Sequence, residues 1–162
     1  QQEIPQSATA RALELARAQG VTSILNTAPF LDDTPHLANA AAIIVANETE
    51  FALLCGGQSG PLDQLMAGWA RTHGQTVIVT LGAEGARAAT PKESFAVPAR
   101  AIDPLDTVGA GDSFCGYLAA GLDAGLPLET AMRRAVLAAT LACLKPGAQP
   151  AIPHAREVDV GI

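Results

Sequence analysis

Helix-like and strand-like hydrophobic patterns alternate along the 162-residue chain. Residues 61–73 repeat apolar positions at helical spacing, whereas residues 41–46 form a continuous apolar run typical of a strand buried on both faces. In chain order we predict helix 7–19, strands 21–26 and 41–46, helices 47–54 and 61–73, strand 76–81, a tight turn at 82–85, strands 86–90 and 95–97, loop 103–109, helices 110–123 and 128–144, and loop 145–153. Strands separated by helices predict an α/β fold with a mostly parallel sheet, whose ligands bind beyond the carboxyl ends of the strands.

Composition and charge narrow the class of protein. Hydrophobic residues make up 49% and charged residues 16%, which predicts a folded chain, and its length suits one domain. The formal charge of -6 argues against nucleic-acid and anionic-membrane partners, because phosphate groups are bound by an excess of Lys and Arg. The longest apolar runs, 40–46 and 135–144, are shorter than the roughly 18 residues that a membrane span needs.

The cysteines and histidines give no metal or disulfide pattern. Cys55, Cys115 and Cys143 form no CxxC pair and lie in apolar contexts, so we expect buried free thiols. The histidines lack the spacing of metal ligands; they are His36, His73 and His154. With no secretory signal at the start, a cytoplasmic location is expected, and residues 1–5 resemble the interior of a longer chain.

The strongest chemical signal is the run Asp-Thr-Val-Gly-Ala-Gly-Asp at 106–112, which leads into a predicted helix. Small residues allow a ligand to approach the backbone, and amides at a helix start bind anions. Asp112 would repel an anionic ligand unless it takes part in the chemistry, and a general base that accepts a proton from an attacking hydroxyl fits this place. An aspartate that only complements the helix N-terminus is the structural alternative.

A second signal, Asn-Glu-Thr-Glu at 47–50, lies where a strand meets a helix. Asn47 followed three residues later by Glu50 predicts a capping box. Glu50 facing Mg²⁺ through water molecules is the functional interpretation, and the two are compatible.

Two further stretches have plain structural explanations. Residues 80–85 (Thr-Leu-Gly-Ala-Glu-Gly) fit a hairpin turn, although Thr80 and Gly82 end a buried strand, where a hydroxyl and an amide can contact phosphate. Residues 145–150 (Lys-Pro-Gly-Ala-Gln-Pro) fit a helix C-terminus with Lys145 in its last turn.

Missing motifs exclude several classes of enzyme. The chain contains no G-x-x-x-x-G-K-[ST] sequence, which argues against a Walker-type NTPase, and no complete G-x-G-x-x-G follows a strand. Ser113 lies in a Gly-Asp-Ser-Phe sequence like that of GDSL-type hydrolases, but the sole D-x-x-H, at 33–36, precedes the serine. The order of these residues argues against a GDSL-type hydrolase.

Taken in order, the four stretches 47–50, 80–85, 106–112 and 145–153 resemble the ribokinase / phosphofructokinase-B family of carbohydrate kinases. Residues 106–112 resemble the C-terminal signature of that family, and residues 3–5, 26–29 and 147–153 are most similar to its ribokinase branch. The resemblance covers essentially the whole chain. It implies a ribokinase-like, Rossmann-like three-layer αβα fold.

The resemblance also implies an activity, ATP-dependent phosphorylation of a sugar primary hydroxyl, which in ribokinases is O5 of ribose. Asp112 would be the base at the substrate, and the amides of Gly109, Ala110, Gly111 and Asp112 the anion hole. The implied nucleotide contacts are Asn47, Glu50, Thr80, Gly82, Gly85 and Gly111, with Glu50 also facing Mg²⁺ through water. The implied K⁺ ligands are Asp106, Val108, Ala142, Lys145, Gly147 and Ala151, mostly through backbone carbonyls.

Only the C-terminal half of a family member is matched. Residues 1–162 are thus expected to be the nucleotide-binding and catalytic part, without the N-terminal sugar-binding half and the lid through which a homodimer often forms. A kinase for another sugar or a nucleoside, and a nucleotide-binding fragment without activity, remain the alternatives.

Overall fold

Parallel strands organise the first half of the chain. The computed structural model describes residues 1–161, in which five strands and seven α-helices occur. The strands are β1 Ile24–Asn26, β2 Ile43–Asn47, β3 Thr76–Thr80, β4 Ala86–Ala89 and β5 Ser94–Val97; the helices are α1 Gln6–Ala18, α2 Thr34–Ala40, α3 Glu48–Leu54, α4 Leu62–His73, α5 Ala110–Asp123, α6 Leu128–Ala142 and α7 Ala155–Asp159. Single 3₁₀ turns occupy Gly82–Glu84 and Gln149–Ala151.

The strands form one sheet in the order β1-β2-β3-β4-β5. β1 pairs with β2 and β2 pairs with β3, both in parallel, as the predicted strand–helix alternation requires. The register places Asn26 beside Val45 and Asn47 beside Thr80. The three strands therefore end at one edge of the sheet, where their polar residues become neighbours.

The chain divides into two compact units. The first unit contains Gln1–Leu81 and Arg87–Phe95, and the second contains Gly82–Ala86 and the described residues from Ala96 onward. The core of the first unit is mostly aliphatic, as the low aromatic content predicts, although it also buries Phe51. Its largest fully buried side chains include Leu25, Ile44 and Phe51.

Helices α5 and α6 form the core of the second unit. Their close approach depends on Gly121, where an added Cβ would lie 2.9 Å from the Ala131 Cβ. Helix α7 adds Val158 to a small cluster with Leu137 and Ala138. The Tyr117 hydroxyl donates to the Pro153 carbonyl at 2.7 Å and so holds the chain that leads into α7.

Most predicted elements are confirmed to within a few residues, and the exceptions have local causes. The strand predicted at 21–26 begins only at Ile24, because the Val21 amide still donates to the Ala16 carbonyl at the end of α1. The helix predicted at 128–144 ends at Ala142, and Leu144 is half exposed. Helices α2 and α7, of seven and five residues, were not predicted.

No helix in the described part of the chain is both long and apolar enough to cross a membrane.

Candidate functional site

The N-terminus of α3 is closed by its own side chains. Asn47 Oδ1 accepts the Glu50 amide at 2.8 Å. In return, Glu50 Oε2 accepts the Asn47 amide at 3.0 Å, and Glu50 Oε1 accepts from Asn47 Nδ2 at 2.9 Å. The predicted capping box is therefore confirmed, and it fixes the Glu50 carboxylate at the end of β2.

Thr27 adds a contact to this carboxylate that the sequence analysis missed. It follows β1 directly and is fully buried, and its Oγ1 lies 2.8 Å from Glu50 Oε2. The signal was topological. A polar residue just after one parallel strand can reach the first turn of the helix that follows the adjacent strand.

Thr80 ends β3 beside Asn47. Its hydroxyl lies 3.4 Å from the Ala46 carbonyl, at the long limit of a hydrogen bond. The first unit thus brings together Asn47, Glu50 and Thr80, which the sequence analysis proposed as nucleotide contacts. Their oxygen atoms suit Mg²⁺, which prefers oxygen ligands and keeps several of its waters.

Gly82 and Gly85, in the second unit, differ in their surroundings. Both have positive φ, 55° and 99°. A Cβ on Gly82 would meet nothing within 4 Å, whereas one on Gly85 would lie 2.1 Å from the Val97 carbonyl oxygen. Gly85 is therefore required by backbone packing alone, and the role of both glycines as ATP contacts stays a prediction.

The N-terminus of α5 has no side-chain cap. Gly109, with φ 78° and ψ 3°, is the cap residue, and the Ser113 amide donates to its carbonyl at 2.9 Å. The Ala110 amide donates to the Thr107 carbonyl at 3.3 Å. The Gly111 amide belongs to the first turn, where an α-helix supplies no backbone acceptor four residues earlier.

Asp112 lies in this first turn and is exposed to solvent. Ser113, the next residue, is buried, and its Oγ has no hydrogen-bond partner among the described residues. A buried hydroxyl is poorly placed to attack a substrate. The structure thus agrees with the rejection of Ser113 as a hydrolase nucleophile.

Asp106 connects loop 103–109 with loop 145–153, both of which were proposed to supply K⁺ ligands. Its Oδ1 accepts the Val108 amide at 3.0 Å, and its Oδ2 accepts the Gly147 amide at 2.8 Å. These hydrogen bonds, the Val108 one foremost, lower the pKa of the Asp106 carboxyl because they stabilise its ionised form. An added Cβ on Gly109 would lie 3.1 Å from Ala148, so the two loops also pack closely.

The other proposed K⁺ ligands lie in loop 145–153 or at the end of α6, the helix that precedes this loop. The Ala142 carbonyl accepts the Lys145 amide at 3.3 Å, and the Ala151 amide donates to the Ala148 carbonyl at 3.1 Å. The Lys145 ammonium pairs with Glu157 at 3.2 Å, so Lys145 would serve a cation only through its carbonyl. A set of one carboxylate and several carbonyls suits K⁺.

The described residues contain no group of three or more His, Cys, Asp or Glu side chains that could hold a metal ion. Cys55, Cys115 and Cys143 are thiols outside any disulfide bond, as predicted. The expectation that they are buried was wrong, since each is only half-buried. Burial nevertheless raises the pKa of the Cys55 and Cys143 thiols.

Comparison with known proteins identifies the family. Residues 1–155 match the family described as "pfkB family carbohydrate kinase". A ribokinase of Staphylococcus aureus is 36% identical over 165 residues, which cover 98% of this chain and 54% of that protein. The chain therefore belongs to the pfkB family of carbohydrate kinases.

Solved structures agree on the fold. An Arabidopsis thaliana ribokinase complexed with ribose and ATP matches with a TM-score of 0.87 and 29% identity, over 98% of this chain and 53% of that one. A Vibrio cholerae fructokinase double mutant, bound to fructose, ADP and potassium ion, matches with a TM-score of 0.83 and 25% identity, over 98% and 56%. The expected ribokinase-like α/β fold is confirmed, and the chain spans about half the length of these relatives.

Proposed function

We propose that the protein is an ATP-dependent carbohydrate kinase that transfers the γ-phosphoryl group to a primary hydroxyl, O5 of ribose. Family membership supports the reaction class, and the similarity to ribokinases supports the sugar. The observation that carries the proposal is the N-terminus of α5, where exposed Asp112 follows a cap residue without a side chain.

In this proposal Asp112 acts as the general base. Its carboxylate takes the proton of the sugar hydroxyl while the hydroxyl oxygen forms a bond to the γ-phosphorus. The bond from the γ-phosphorus to the bridging oxygen breaks, and ADP leaves with that oxygen. A base of this kind contributes about 10²–10⁴-fold to the rate.

The backbone of 109–112 stabilises the transferring phosphoryl group. Its amides donate to oxygens whose negative charge must be balanced in the transition state, and one such donor is worth about 10²–10³-fold in kcat. The Ala110 amide also donates to the Thr107 carbonyl, so it would contribute less than the Gly111 amide. This arrangement replaces the lysine of a Walker motif, which the sequence lacks.

Two cations complete the proposal. Mg²⁺, when bound with ATP, neutralises phosphate charge, and Asn47 and Glu50 would orient the water molecules around it, with Thr80, Gly82 and Gly85 as further nucleotide contacts. K⁺ would bind to Asp106, Val108 and Gly147 and to the carbonyls of Ala142, Lys145 and Ala151, and would steady the loop that precedes α5.

Residues 1–162 are, in the same proposal, the nucleotide-binding and catalytic part of the kinase. The sugar-binding half, the homodimer and the cytoplasmic location remain predictions from the resemblance and the sequence.

Asp112→Asn tests the proposal in the protein expressed from its complete gene. We expect kcat for ribose phosphorylation to fall by about 10²–10⁴-fold, with the Kd for ATP unchanged in isothermal titration calorimetry. Asp123→Asn, at the exposed C-terminal end of the same helix, is the matched control and should keep full activity. Near-normal turnover by Asp112→Asn would refute the base assignment, and a wild-type protein that binds ATP but phosphorylates no sugar would be a binding module.

A further inference from the structure

Thr27 is held in place through its backbone. Its amide donates to the Val45 carbonyl at 3.0 Å, and its carbonyl accepts from Gln2 Nε2 at 3.1 Å. Gln2 is itself buried, and it also contacts Pro29 and Thr34. The position of the Thr27 side chain is thus determined by the sheet on one side and by the N-terminal segment on the other.

The Thr27 hydroxyl has one proton and two acceptors within reach. Glu50 Oε2 lies at 2.8 Å and the Val45 carbonyl oxygen at 3.4 Å. The shorter contact has the ordinary length of an O–H···O bond, and its acceptor is a carboxylate, which strengthens it. The proton is therefore donated to Glu50.

The two oxygens of the Glu50 carboxylate are unequally occupied. Oε2 accepts from the Asn47 amide and from Thr27, which uses both of its lone-pair directions. Among the described residues Oε1 accepts only from Asn47 Nδ2, which leaves one direction open. Oε1 is thus the oxygen that can accept another hydrogen bond.

We propose that Thr27 is a positioning residue for the metal-bound nucleotide: it fixes Glu50 through Oε2 so that Oε1 faces a water molecule bound to Mg²⁺. This inference rests on the proposed function, because it assigns Glu50 to the Mg²⁺ complex of ATP. It adds a residue from the end of β1 to a site that the sequence analysis built from β2 and β3.

Thr27→Val and Thr27→Ser, again in the protein expressed from its complete gene, test the inference. Valine keeps the shape of threonine without the hydroxyl, and serine keeps the hydroxyl. Calorimetric titrations of ATP at several Mg²⁺ concentrations give the free Mg²⁺ needed for tight ATP binding, and kinetics give its effect on kcat. We expect Thr27→Val to raise this Mg²⁺ requirement about 10-fold, as is typical when a partner of a metal-site residue is lost.

A purely structural role for Thr27 predicts a different pattern. Under our inference saturating Mg²⁺ restores the kcat of Thr27→Val, the KM for the sugar is unchanged, and Thr27→Ser behaves like the wild type. Thr9→Val removes another buried hydroxyl of the first unit, one without a partner among the described residues, and should leave the Mg²⁺ requirement unchanged. An unchanged requirement in Thr27→Val, or a loss of kcat that Mg²⁺ does not restore, would overturn the inference.

Glu50→Gln separates failure of this inference from failure of the proposed function. If Glu50→Gln raises the Mg²⁺ requirement and Thr27→Val does not, Thr27 has no positioning role while the kinase proposal stands. If neither substitution changes it, the assignment of Glu50 to Mg²⁺ fails, and the inference fails with it. Thr27→Ala is the second variant should Thr27→Val not fold, and the same shift in Mg²⁺ requirement is expected.

Discussion

The helices α3 and α5 both begin where polar residues were expected to bind ligands, yet their N-termini differ. At α3 the Asn47 side chain accepts the Glu50 amide, and the Glu50 carboxylate bonds back to Asn47. At α5 the cap residue is Gly109, which has no side-chain acceptor. Among the first-turn amides that a helix leaves without intrahelical partners, the Glu50 amide is thus capped by a side chain at α3, whereas no cap side chain is present at α5.

This difference fits the different tasks proposed for the two acidic residues, Glu50 and Asp112. Glu50 is fixed by neighbouring donors and suits the orientation of a metal complex, whereas exposed Asp112 suits the transfer of a proton. In the proposed kinase, the start of α3 would therefore serve the ligand through its side chains, and the start of α5 would serve it through the backbone as well as through Asp112.

The largest effect on the free energy of unfolding is expected where the cap residue of α5 acquires a side chain. Gly109→Ala places a Cβ at φ 78° and 3.1 Å from Ala148. The positive φ costs about 1–2 kcal/mol, and crowding adds about 1–3 kcal/mol. The free energy of unfolding, measured by urea denaturation, should fall by both amounts.

Gly125→Ala is the matched control for Gly109→Ala. Gly125 follows the other end of α5 with φ 76°, and an added Cβ there meets nothing within 4 Å. Gly125→Ala should lower the free energy of unfolding only by the part that is due to positive φ. Equal losses in the two variants would show that Ala148 gives way and that the two loops are not tightly packed.

The sequence predicted the local features of both helix starts. α5 was predicted at 110–123 and observed as Ala110–Asp123, and the capping box of α3 followed from the spacing of Asn47 and Glu50. These features depend on residues within one turn of each other, where spacing determines contact.

Contacts between distant segments could not be predicted in this way. The bond from Thr27 to Glu50 spans 23 residues and depends on the register of β1 and β2. The bond from Gly147 to Asp106 spans 41 residues. Both residues of this second pair were proposed from the family resemblance, but only the folded chain shows that they touch.

An intermediate effect on the free energy of unfolding is expected from removal of the side-chain cap of α3. Asn47→Ala deprives the Glu50 amide of its acceptor and the Glu50 carboxylate of one donor. Loss of such a cap costs about 1 kcal/mol, within a range of roughly 0.5–2 kcal/mol. Urea denaturation should show this loss, whereas Asn47→Asp, which keeps an acceptor, should lose less. Asn39→Ala, at an exposed position in α2, is the control, and an equal loss there would contradict the role of the cap.

The smallest effect on stability is expected at Gly111, and it has the opposite sign. Gly111 lies in the first turn of α5 with an ordinary helical φ, and an added Cβ meets nothing within 4 Å. Gly111→Ala should therefore raise the free energy of unfolding by about 0.4–1 kcal/mol, because alanine loses less conformational entropy on folding. If glycine is present so that a phosphate can approach the backbone, the same variant should bind ATP more weakly in calorimetry and phosphorylate ribose more slowly.

Gly116→Ala distinguishes these two consequences. Gly116 lies further along α5, is exposed, and also leaves open space around an added Cβ. It should gain similar stability with no change in ATP affinity or turnover. A Gly111→Ala variant that gains stability and keeps full activity would mean that the ligand does not need to approach this part of the backbone closely. The proposed contrast between the N-termini of α3 and α5 would then lose its functional meaning.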